Sequence, residues 1–404
     1  MDKKTLCLYF QVHQPIRLRK YHFFDIGKNS DYTDDFANDS MIRQAAERCY
    51  LPANQLMLEL IQKYGKNFKV NFSISGIAME QFERYAPEVI DSFRELVATG
   101  SVELLSETYS HSLACMVDEA EFKKQVDLHT ELMKRVFGVK PVSFRNTELV
   151  YSDEVGEMVE RMGYKTMLTE GARHILGWKS PDYVYTNALQ PKLKLLLKNS
   201  NLSDDIAFRF SDCKWEQWPL TADKYATWLN EADGELVNLF MDYETFGERQ
   251  GEESGIFDFL AALPEEVYAS TSFEFQTVQE AAEKHQPVAS LHVPFPISWA
   301  DEERDLTAWL GNELQNEAFE ELYKLKDQVK KLADADISRD FDRLQASDHF
   351  YYMCTKLFSD DAVRRYTTPY DTPYEAFINY MNVLSDLILR VENKQEEQKM
   401  KAKE

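Results

Sequence analysis

Two kinds of apolar pattern alternate along the first two thirds of the chain. Short apolar runs, several of them rich in β-branched and aromatic residues, are typical of buried strands. They predict strands at residues 6–12, 69–74, 102–105, 142–145, 165–168 and 236–241. Longer stretches carry apolar residues at helical spacing. They predict helices at residues 41–63, 79–98, 119–137 and 152–162.

Capping residues support several of these boundaries. Asp118 and Ser152 precede acidic first turns, as N-caps do, and Gly100, Gly138 and Gly163 follow helix ends, where a left-handed residue is favoured. Strands and helices that alternate with short connections predict an α/β fold with a parallel sheet. At this length we expect a closed or nearly closed β/α barrel over residues 1–285.

The pattern changes after about Trp299. Helical spacing without strand signals predicts long helices at residues 305–332, 340–358 and 373–391, and therefore a C-terminal helical bundle within residues 286–404. The charged end, residues 392–404, is expected to be frayed. Residues 172–235 contain Trp178, Trp215 and Trp218 among loop signals, which favours an insertion over the barrel mouth.

Composition narrows the function classes. The chain has 404 residues and a net charge of −23, which is unfavourable for binding a nucleic-acid backbone or an anionic membrane and compatible with a neutral substrate. Its five cysteines are scattered and form neither a disulfide framework nor a zinc ribbon. No stretch has the apolar length of a membrane span or a secretion signal, so we expect a cytoplasmic location. The oligomeric state cannot be inferred from these patterns.

Two predicted strands run directly into carboxylates. Glu148 follows the strand at 142–145, and Asp242 follows the strand at 236–241. Because α/β folds build sites at the carboxyl ends of strands, this pair suits a two-carboxylate hydrolase. We expect Arg145 and Asn146 to keep Glu148 ionised, and an apolar setting to raise the pKa of Asp242. A single strand-end carboxylate more often caps a helix or pairs with arginine.

Further polar and aromatic residues lie near predicted strand ends and at the start of the helical part. They are candidates for binding or orienting a sugar through hydrogen bonds and ring stacking, although each also has a structural interpretation as a cap or a core residue. The candidates are His13, Gln14, Glu107, His111, Arg145, Tyr243, Phe246, Trp299, Trp309 and Asp348.

Taken in order, five segments resemble the five sequence regions of glycoside hydrolase family 57, whose members act on α-glucans. The segments are residues 13–15, 100–111, 144–151, 241–247 and 299–312. The resemblance covers residues 1 to about 360. It implies an incomplete (β/α)7 barrel with a C-terminal helical bundle that contributes to the site.

The same resemblance implies a retaining mechanism without a metal or other cofactor. Glu148 would be the nucleophile and Asp242 the general acid/base. The short chain, and Arg145 and Asn146 where some members have an aromatic residue, favour the α-amylase-like subgroup. We therefore expect an α-amylase that hydrolyses α-1,4-glucans or maltooligosaccharides.

Three alternatives remain open. A 4-α-glucanotransferase or branching enzyme of the same fold would share the chemistry and differ only in the acceptor. A metal-dependent deacetylase or mannosidase needs an Asp/His cluster, for which the chain offers His13, His111 and Asp242 but no His-x-x-x-His pair. A non-catalytic glucan-binding protein is disfavoured because both carboxylates are present.

Overall fold

A computed structural model describes residues 3–356 and 368–402. Strands and helices alternate from Lys4 to Leu291, and helices follow. The strands are β1 Lys4–Val12, β2 Val70–Ile74, β3 Val102–Leu104, β4 Ser143–Arg145, β5 Thr166–Thr169, β6 Tyr185–Asn187, β7 Lys194–Leu197, β8 Leu236–Asp242, β9 Phe273–Phe275 and β10 Ala289–Leu291.

Helices cover the sheets and form the C-terminal part. Those before Leu291 are α1 Asp35–Ala45, α2 Leu51–Tyr64, α3 Gly76–Tyr85, α4 Pro87–Ala98, α5 Glu119–Phe137, α6 Asp153–Arg161, α7 Arg173–Leu176, α8 Ser200–Ala207, α9 Ala222–Glu231, α10 Ile256–Ser270 and α11 Val278–Lys284. Those after it are α12 Thr307–Leu310, α13 Glu313–Lys324, α14 Lys326–Leu332, α15 Ala335–Leu344, α16 Ser347–Tyr352 and α17 Pro373–Lys401. In the part of the chain that the structure describes, no helix is both long and apolar enough to cross a membrane.

The strands form two five-stranded sheets. One has the order β3-β2-β1-β8, with β9 paired to the start of β1, and the other has the order β10-β6-β7-β5-β4. The pairs are parallel except β6 with β7. Main-chain contacts join the two sheets: Ser106, after β3, bridges Phe144 in β4, and Asn199, after β7, donates its N–H to the Asn238 carbonyl in β8 over 2.9 Å.

Strand β1 shows how the core is divided. Leu6, Leu8 and Phe10 pack into a large cluster with the surrounding helices, whereas Cys7 and Tyr9 point into a smaller one. A parallel strand is buried on both faces, so both sets of positions are apolar. The smaller cluster collects side chains from β5, β7 and β8, namely Leu168, Leu196, Leu236 and Phe240.

The six predicted strands are confirmed within two residues at each end, but β6, β7, β9 and β10 were missed. Each of these has only three or four residues, as do β3, β4 and β5, which were predicted. The interpretation of residues 172–235 as an insertion is wrong, because they contain β6 and β7 of the second sheet.

Among the predicted helices, 119–137 is confirmed at both ends, with Asp118 accepting from the Glu121 N–H and Gly138 at φ +70°. Predicted helix 79–98 is in fact two helices that meet at Ala86, because Pro87 has no N–H to continue the first. Predicted helix 41–63 starts earlier, at Asp35, and passes through a π-helical turn, Ala46–Tyr50.

The C-terminal helices are more broken than predicted. Region 305–332 contains α12, α13 and α14, and region 340–358 contains the last part of α15 and all of α16, while residues 357–358 lie outside the described residues. The expectation of a frayed end is wrong for residues 392–401, which continue α17. Lys394 pairs with Asp334 at 3.0 Å and so holds this part of α17 against the start of α15. Residues 403–404 lie outside the description.

Candidate active site

Both predicted carboxylates line one cavity of about 150 Å³. Glu148 lies in a short turn directly after β4, and Asp242 is the last residue of β8. The other predicted site residues that line the cavity are His13, Gln14, His111, Arg145, Trp299, Trp309 and Asp348.

Glu148 adopts an uncommon backbone conformation. Its φ of 56° and ψ of 23° are left-handed, which is unfavourable for a residue with a side chain and is typical of functional positions. Its carboxylate accepts hydrogen bonds from Trp299 Nε1 at 2.6 Å and from Ser347 Oγ at 3.0 Å, and it lies 3.3 Å from His111 Nε2. Three groups from distant parts of the chain therefore fix this carboxylate.

His111 lies between two carboxylates. Its Nδ1 donates to Glu107 over 3.0 Å while Nε2 faces Glu148. Burial disfavours the charged imidazolium, but the hydrogen bonds and charges of both carboxylates outweigh it and raise the pKa of His111 to about 9. Burial likewise opposes ionisation of Glu148, yet His111 and the charge of Arg145 bring its pKa below the ordinary value. The nucleophile candidate is therefore ionised.

Glu107 does not line the cavity. It is fully buried behind His111, accepts from Gln11 Nε2 at 3.0 Å, and has a pKa near 2 because His111 outweighs the effect of burial. The structure thus places Glu107 where it orients His111, rather than where it would contact a ligand.

His13 stacks on His111, with ring centroids 3.9 Å apart. Its Nε2 donates to Asp348 over 2.9 Å, and its Nδ1 accepts from Ser75 Oγ over 2.7 Å. Burial and the positive charge of His111 lower the pKa of His13. The stacked pair therefore carries one positive charge, on His111.

Arg145 and Asn146 differ in their roles. Arg145 is 5% exposed, and its Nε and Nη1 atoms are buried without a hydrogen-bond partner. Asn146 Nδ2 donates to the Val150 carbonyl at 2.9 Å, which shapes the turn that carries Glu148. The expectation that Asn146 helps to keep Glu148 ionised is wrong, since its amide donates to the Val150 carbonyl and to Cys115 Sγ instead.

The surroundings of Asp242 are polar, contrary to the prediction. Arg249 Nη2 donates to its Oδ2 over 2.7 Å, and the side chain is 42% exposed. The neighbouring aromatic residues, Tyr243 and Phe246, are buried beside Phe10 in the large core cluster and do not line the cavity. Their prediction as sugar contacts is therefore corrected: they anchor the turn after β8.

Comparison with known proteins decides the family. The sequence model of "Glycosyl hydrolase family 57" matches residues 7–294. The chain belongs to glycosyl hydrolase family 57. The resemblance inferred from the five segments is thereby confirmed, and the chain is a glycoside hydrolase by family.

Relatives of this family 57 chain differ in how closely they match. A protein of Methanocaldococcus jannaschii named "Putative alpha-amylase" is 43% identical over 393 residues, which are 93% of this chain and 82% of the relative. A family 57 branching enzyme from Thermococcus kodakaraensis has a TM-score of 0.69 at 13% identity and covers 97% of this chain and 94% of its own. A 4-α-glucanotransferase from Thermococcus litoralis has a TM-score of 0.65 at 14% identity. The match covers 87% of this chain and 56% of that one. The two structures support the fold.

Several residues in this family 57 site were not foreseen. Glu244 lines the cavity, its carboxylate accepts a hydrogen bond from the buried Tyr50 hydroxyl, and burial together with the charge of Asp242 raises its pKa to about 7. Ser347 and Arg249 bind the two candidate catalytic carboxylates. The sequence signal for Glu244 and Ser347 was adjacency, since each lies within two residues of a named candidate. Arg249 had no such signal.

Within residues 3–356 and 368–402, no group of three or more His, Cys, Asp or Glu side chains is arranged to hold a metal ion.

Proposed function

We propose that this family 57 chain is an α-amylase that hydrolyses α-1,4-glucosidic linkages in α-glucans and maltooligosaccharides with retention of configuration. One observation carries the proposal: two carboxylates from the ends of β4 and β8 line one cavity, and one of them is fixed in place by three neighbours. The 43% identity to a relative with an alpha-amylase name supports the substrate class.

In the first step, Glu148 attacks the anomeric carbon while the protonated carboxyl of Asp242 gives its proton to the leaving glycosidic oxygen. This breaks the linkage and forms a glycosyl ester on Glu148. In the second step, the Asp242 carboxylate takes a proton from water, and the water oxygen attacks the anomeric carbon. Glu148 leaves as a carboxylate, and the sugar keeps its original configuration.

The groups around Glu148 serve this chemistry. His111, itself oriented by Glu107, stabilises the ionised nucleophile that the first step requires. The unpaired N–H groups of Arg145 are available to donate to a sugar hydroxyl. His13, Gln14, Trp299, Trp309 and Asp348 line the same cavity, and we propose that they contact or position the substrate there.

The finer architecture belongs to the same proposal. We infer an incomplete barrel in which seven strands follow one another as β8, β1, β2, β3, β4, β5 and β7, supported by the two main-chain contacts between the sheets. We propose that residues 286–404, whose described part contains the short strand β10 and helices α12 to α17, are a C-terminal domain that completes the cleft. Ser347 and Asp348 support this division, because α16 reaches Glu148 and His13 from outside the sheets.

A reducing, cytoplasmic location fits the cysteines. Four of the five cysteines are buried, and Cys213 is a free, exposed thiol. An exposed free thiol is typical of proteins that remain in a reducing compartment.

The proposal is tested by incubating the protein with maltoheptaose and amylose and resolving products and anomers over time. We expect new reducing ends and the α-anomer first. Glu148→Gln is expected to lower kcat by on the order of 10⁴ or more, because an amide is not a nucleophile. Glu154→Gln, an exposed carboxylate on α6, is the matched control.

Three outcomes contradict the proposal. Unchanged turnover in Glu148→Gln removes this residue from the mechanism. A β-anomer formed first shows inversion. Longer and shorter saccharides without a net gain of reducing ends show transfer to another sugar, as in a 4-α-glucanotransferase.

A further inference from the structure

The segment that carries Trp299 is anchored at both ends. Before it, Ile297 pairs through the main chain with the residues that follow the Glu148 turn. After it, Asp305 accepts the first N–H of α12 over 2.8 Å. Between these anchors, Trp299 Nε1 donates to the Glu148 carboxylate over 2.6 Å. The direction of this N–H therefore depends on the conformation of residues 298–304.

Arg304 closes this segment on itself. Its carbonyl accepts from the Ser298 N–H over 3.1 Å, and its Nη1 donates to the Trp299 carbonyl. Arg304 and Asp301 have positive φ values, 51° and 52°. A left-handed conformation at a residue with a side chain is unfavourable and persists only where the surrounding contacts impose it. The guanidinium of Arg304 provides one of those contacts.

A carboxylate from another part of the chain faces the same guanidinium. Asp204, in α8, has its Oδ2 4.0 Å from Arg304 Nη2. Its other oxygen, Oδ1, accepts from Lys198 Nζ over 2.8 Å. Lys198 directly follows β7 and is 6% exposed, and a lysine so deeply buried is normally paired. Through Asp204, Arg304 joins the Trp299 segment to the carboxyl end of β7.

An arginine suits this position better than any other cation. Its planar guanidinium directs separate N–H groups at the Trp299 carbonyl and toward Asp204, whereas a lysine has one charged nitrogen. Arg304 does not line the catalytic cavity. It therefore acts on the site through Trp299 and not through a substrate in that cavity.

We propose that Arg304 is a positioning residue for the reaction: held by Asp204, it fixes the Trp299 segment so that the indole N–H meets the Glu148 carboxylate. This role rests on the proposed function, which makes Glu148 the nucleophile. The Trp299 hydrogen bond orients the carboxylate for attack and favours its ionised form. A displaced indole therefore lowers kcat and leaves more of Glu148 protonated in acid.

The kinetic test compares Arg304→Gln and Arg304→Lys with the parent on maltoheptaose. We expect Arg304→Gln to lower kcat about tenfold and to change KM less than about threefold, because the substrate contacts in the cavity remain. The acid limb of its pH profile moves to higher pH. Arg304→Lys restores part of kcat, because its ammonium group still reaches the Trp299 carbonyl.

The moved limb is specific to the Trp299 contact. The other charged groups that act on Glu148, namely His111, Arg145 and Asp348, are unchanged in both variants. A loss of folded protein lowers kcat at pH 7 without moving the limb, and circular dichroism at each pH shows any unfolding in acid.

Arg390→Gln is the matched control. The Arg390 side chain is 22% exposed, like that of Arg304, and it donates to the Asp340 carboxylate over 2.7 Å. It does not line the catalytic cavity. This variant loses a comparable arginine–carboxylate pair, and we expect it to keep the kcat and the acid limb of the parent.

A second readout needs no substrate. The six tryptophans are labelled as 5-fluorotryptophan, and Trp299→Phe identifies the ¹⁹F NMR signal of Trp299 by its loss. In the parent we expect this signal to change with pH as Glu148 ionises, and Glu148→Gln removes the change. Arg304→Gln is expected to shift the signal and to reduce its change with pH, whereas Arg390→Gln leaves both as in the parent.

The ¹⁹F signal tests the role of Arg304 separately from the activity. A Trp299 signal in Arg304→Gln that coincides with that of the parent at every pH overturns the proposal, whatever happens to kcat. A signal that does not respond to Glu148→Gln overturns it as well. If the native chain turns over no glucan, the proposed function fails, whereas a Trp299 signal that depends on both Glu148 and Arg304 still supports the positioning of Trp299 by Arg304.

Discussion

Glu148 combines an unfavourable backbone conformation with a carboxylate whose two oxygens both accept hydrogen bonds. The left-handed φ of 56° costs on the order of 1–3 kcal/mol at a residue with a side chain, and its neighbour Leu149 has φ 53°. His111, Asp301 and Arg304 also have positive φ. These residues lie close to the Glu148 carboxylate or on the segment that follows Trp299. The hydrogen bonds of Glu148 to Trp299 and Ser347 help to stabilise its unfavourable conformation.

For this single residue, we expect His111→Asn to lower kcat/KM mainly at low pH. The positive charge of His111 holds the pKa of Glu148 down, so its loss raises that pKa and leaves more of the nucleophile protonated in acid. The predicted result is a loss of kcat/KM on the order of tenfold at pH 4–5, with a smaller loss near pH 7. The measurement is a pH profile with maltoheptaose.

His22→Asn is the matched control, because His22 is exposed and does not line the cavity. An acid limb in His111→Asn that coincides with that of the parent would show that His111 does not control ionisation of Glu148.

At the scale of elements, the turn after β8 brings Arg249 back to Asp242. Gly247 makes the turn possible: its φ is +103°, its N–H donates to the Gln250 carbonyl over 2.8 Å, and a Cβ here would come within 1.8 Å of the Arg48 carbonyl oxygen. Tyr243 and Phe246 fix the same turn from the core side.

We therefore expect Gly247→Ala to lower the free energy of unfolding by about 3 kcal/mol or more, since strain and a backbone clash add. Gly138→Ala is the matched control: it has φ +70° at the end of α5, but a Cβ there meets nothing within 4 Å. It is expected to cost about 1 kcal/mol, from the left-handed conformation alone. Urea denaturation measures both values, and equal losses would show that the Arg48 contact is relieved elsewhere.

The elements also show how far the sequence could be interpreted. The ends of β4 and β8 were predictable because each strand runs directly into a carboxylate, and these two residues do line one cavity. The partners of the carboxylates were not predictable. Ser347 reaches Glu148 only because region 340–358 breaks between α15 and α16. Arg249 reaches Asp242 only through the turn at Gly247. Both depend on packing between elements, which residue spacing does not reveal.

For the whole molecule, the site depends on segments from most of the chain. His13 of the first strand segment bonds Asp348, 335 positions later, and Glu148 bonds Ser347, 199 positions later. The family match ends at residue 294, so Trp299, Ser347 and Asp348 lie beyond it. The sequence pointed to His13, Glu148, Trp299 and Asp348 but not to Ser347, and the contacts among them follow from the helices packing against the sheets.

Burial of acidic groups gives the whole molecule a pH-dependent stability. Burial raises the pKa values of Glu103 and Glu170, that of Asp342 to about 6, and, together with the charge of Asp242, that of Glu244 to about 7. Each of these groups binds a proton more tightly in the folded chain than in the unfolded chain. Their contribution to stability is therefore present at low pH and is lost as the pH rises.

Glu244 allows one such contribution to be isolated. Its folded pKa of about 7 lies above the reference value of 4.5, so its stabilising contribution is complete below about pH 4.5 and is lost as the pH rises through about 7.

The variant Glu244→Gln keeps the shape of the side chain and does not ionise. Relative to the parent, we expect this variant to gain on the order of 3 kcal/mol in free energy of unfolding between pH 4.5 and pH 8. The measurement is urea denaturation at several pH values. Glu253→Gln, which removes an exposed carboxylate, is the matched control. A difference between Glu244→Gln and the parent that stays constant with pH would mean that Glu244 ionises as an ordinary carboxylate, and that burial beside Asp242 does not hold its proton.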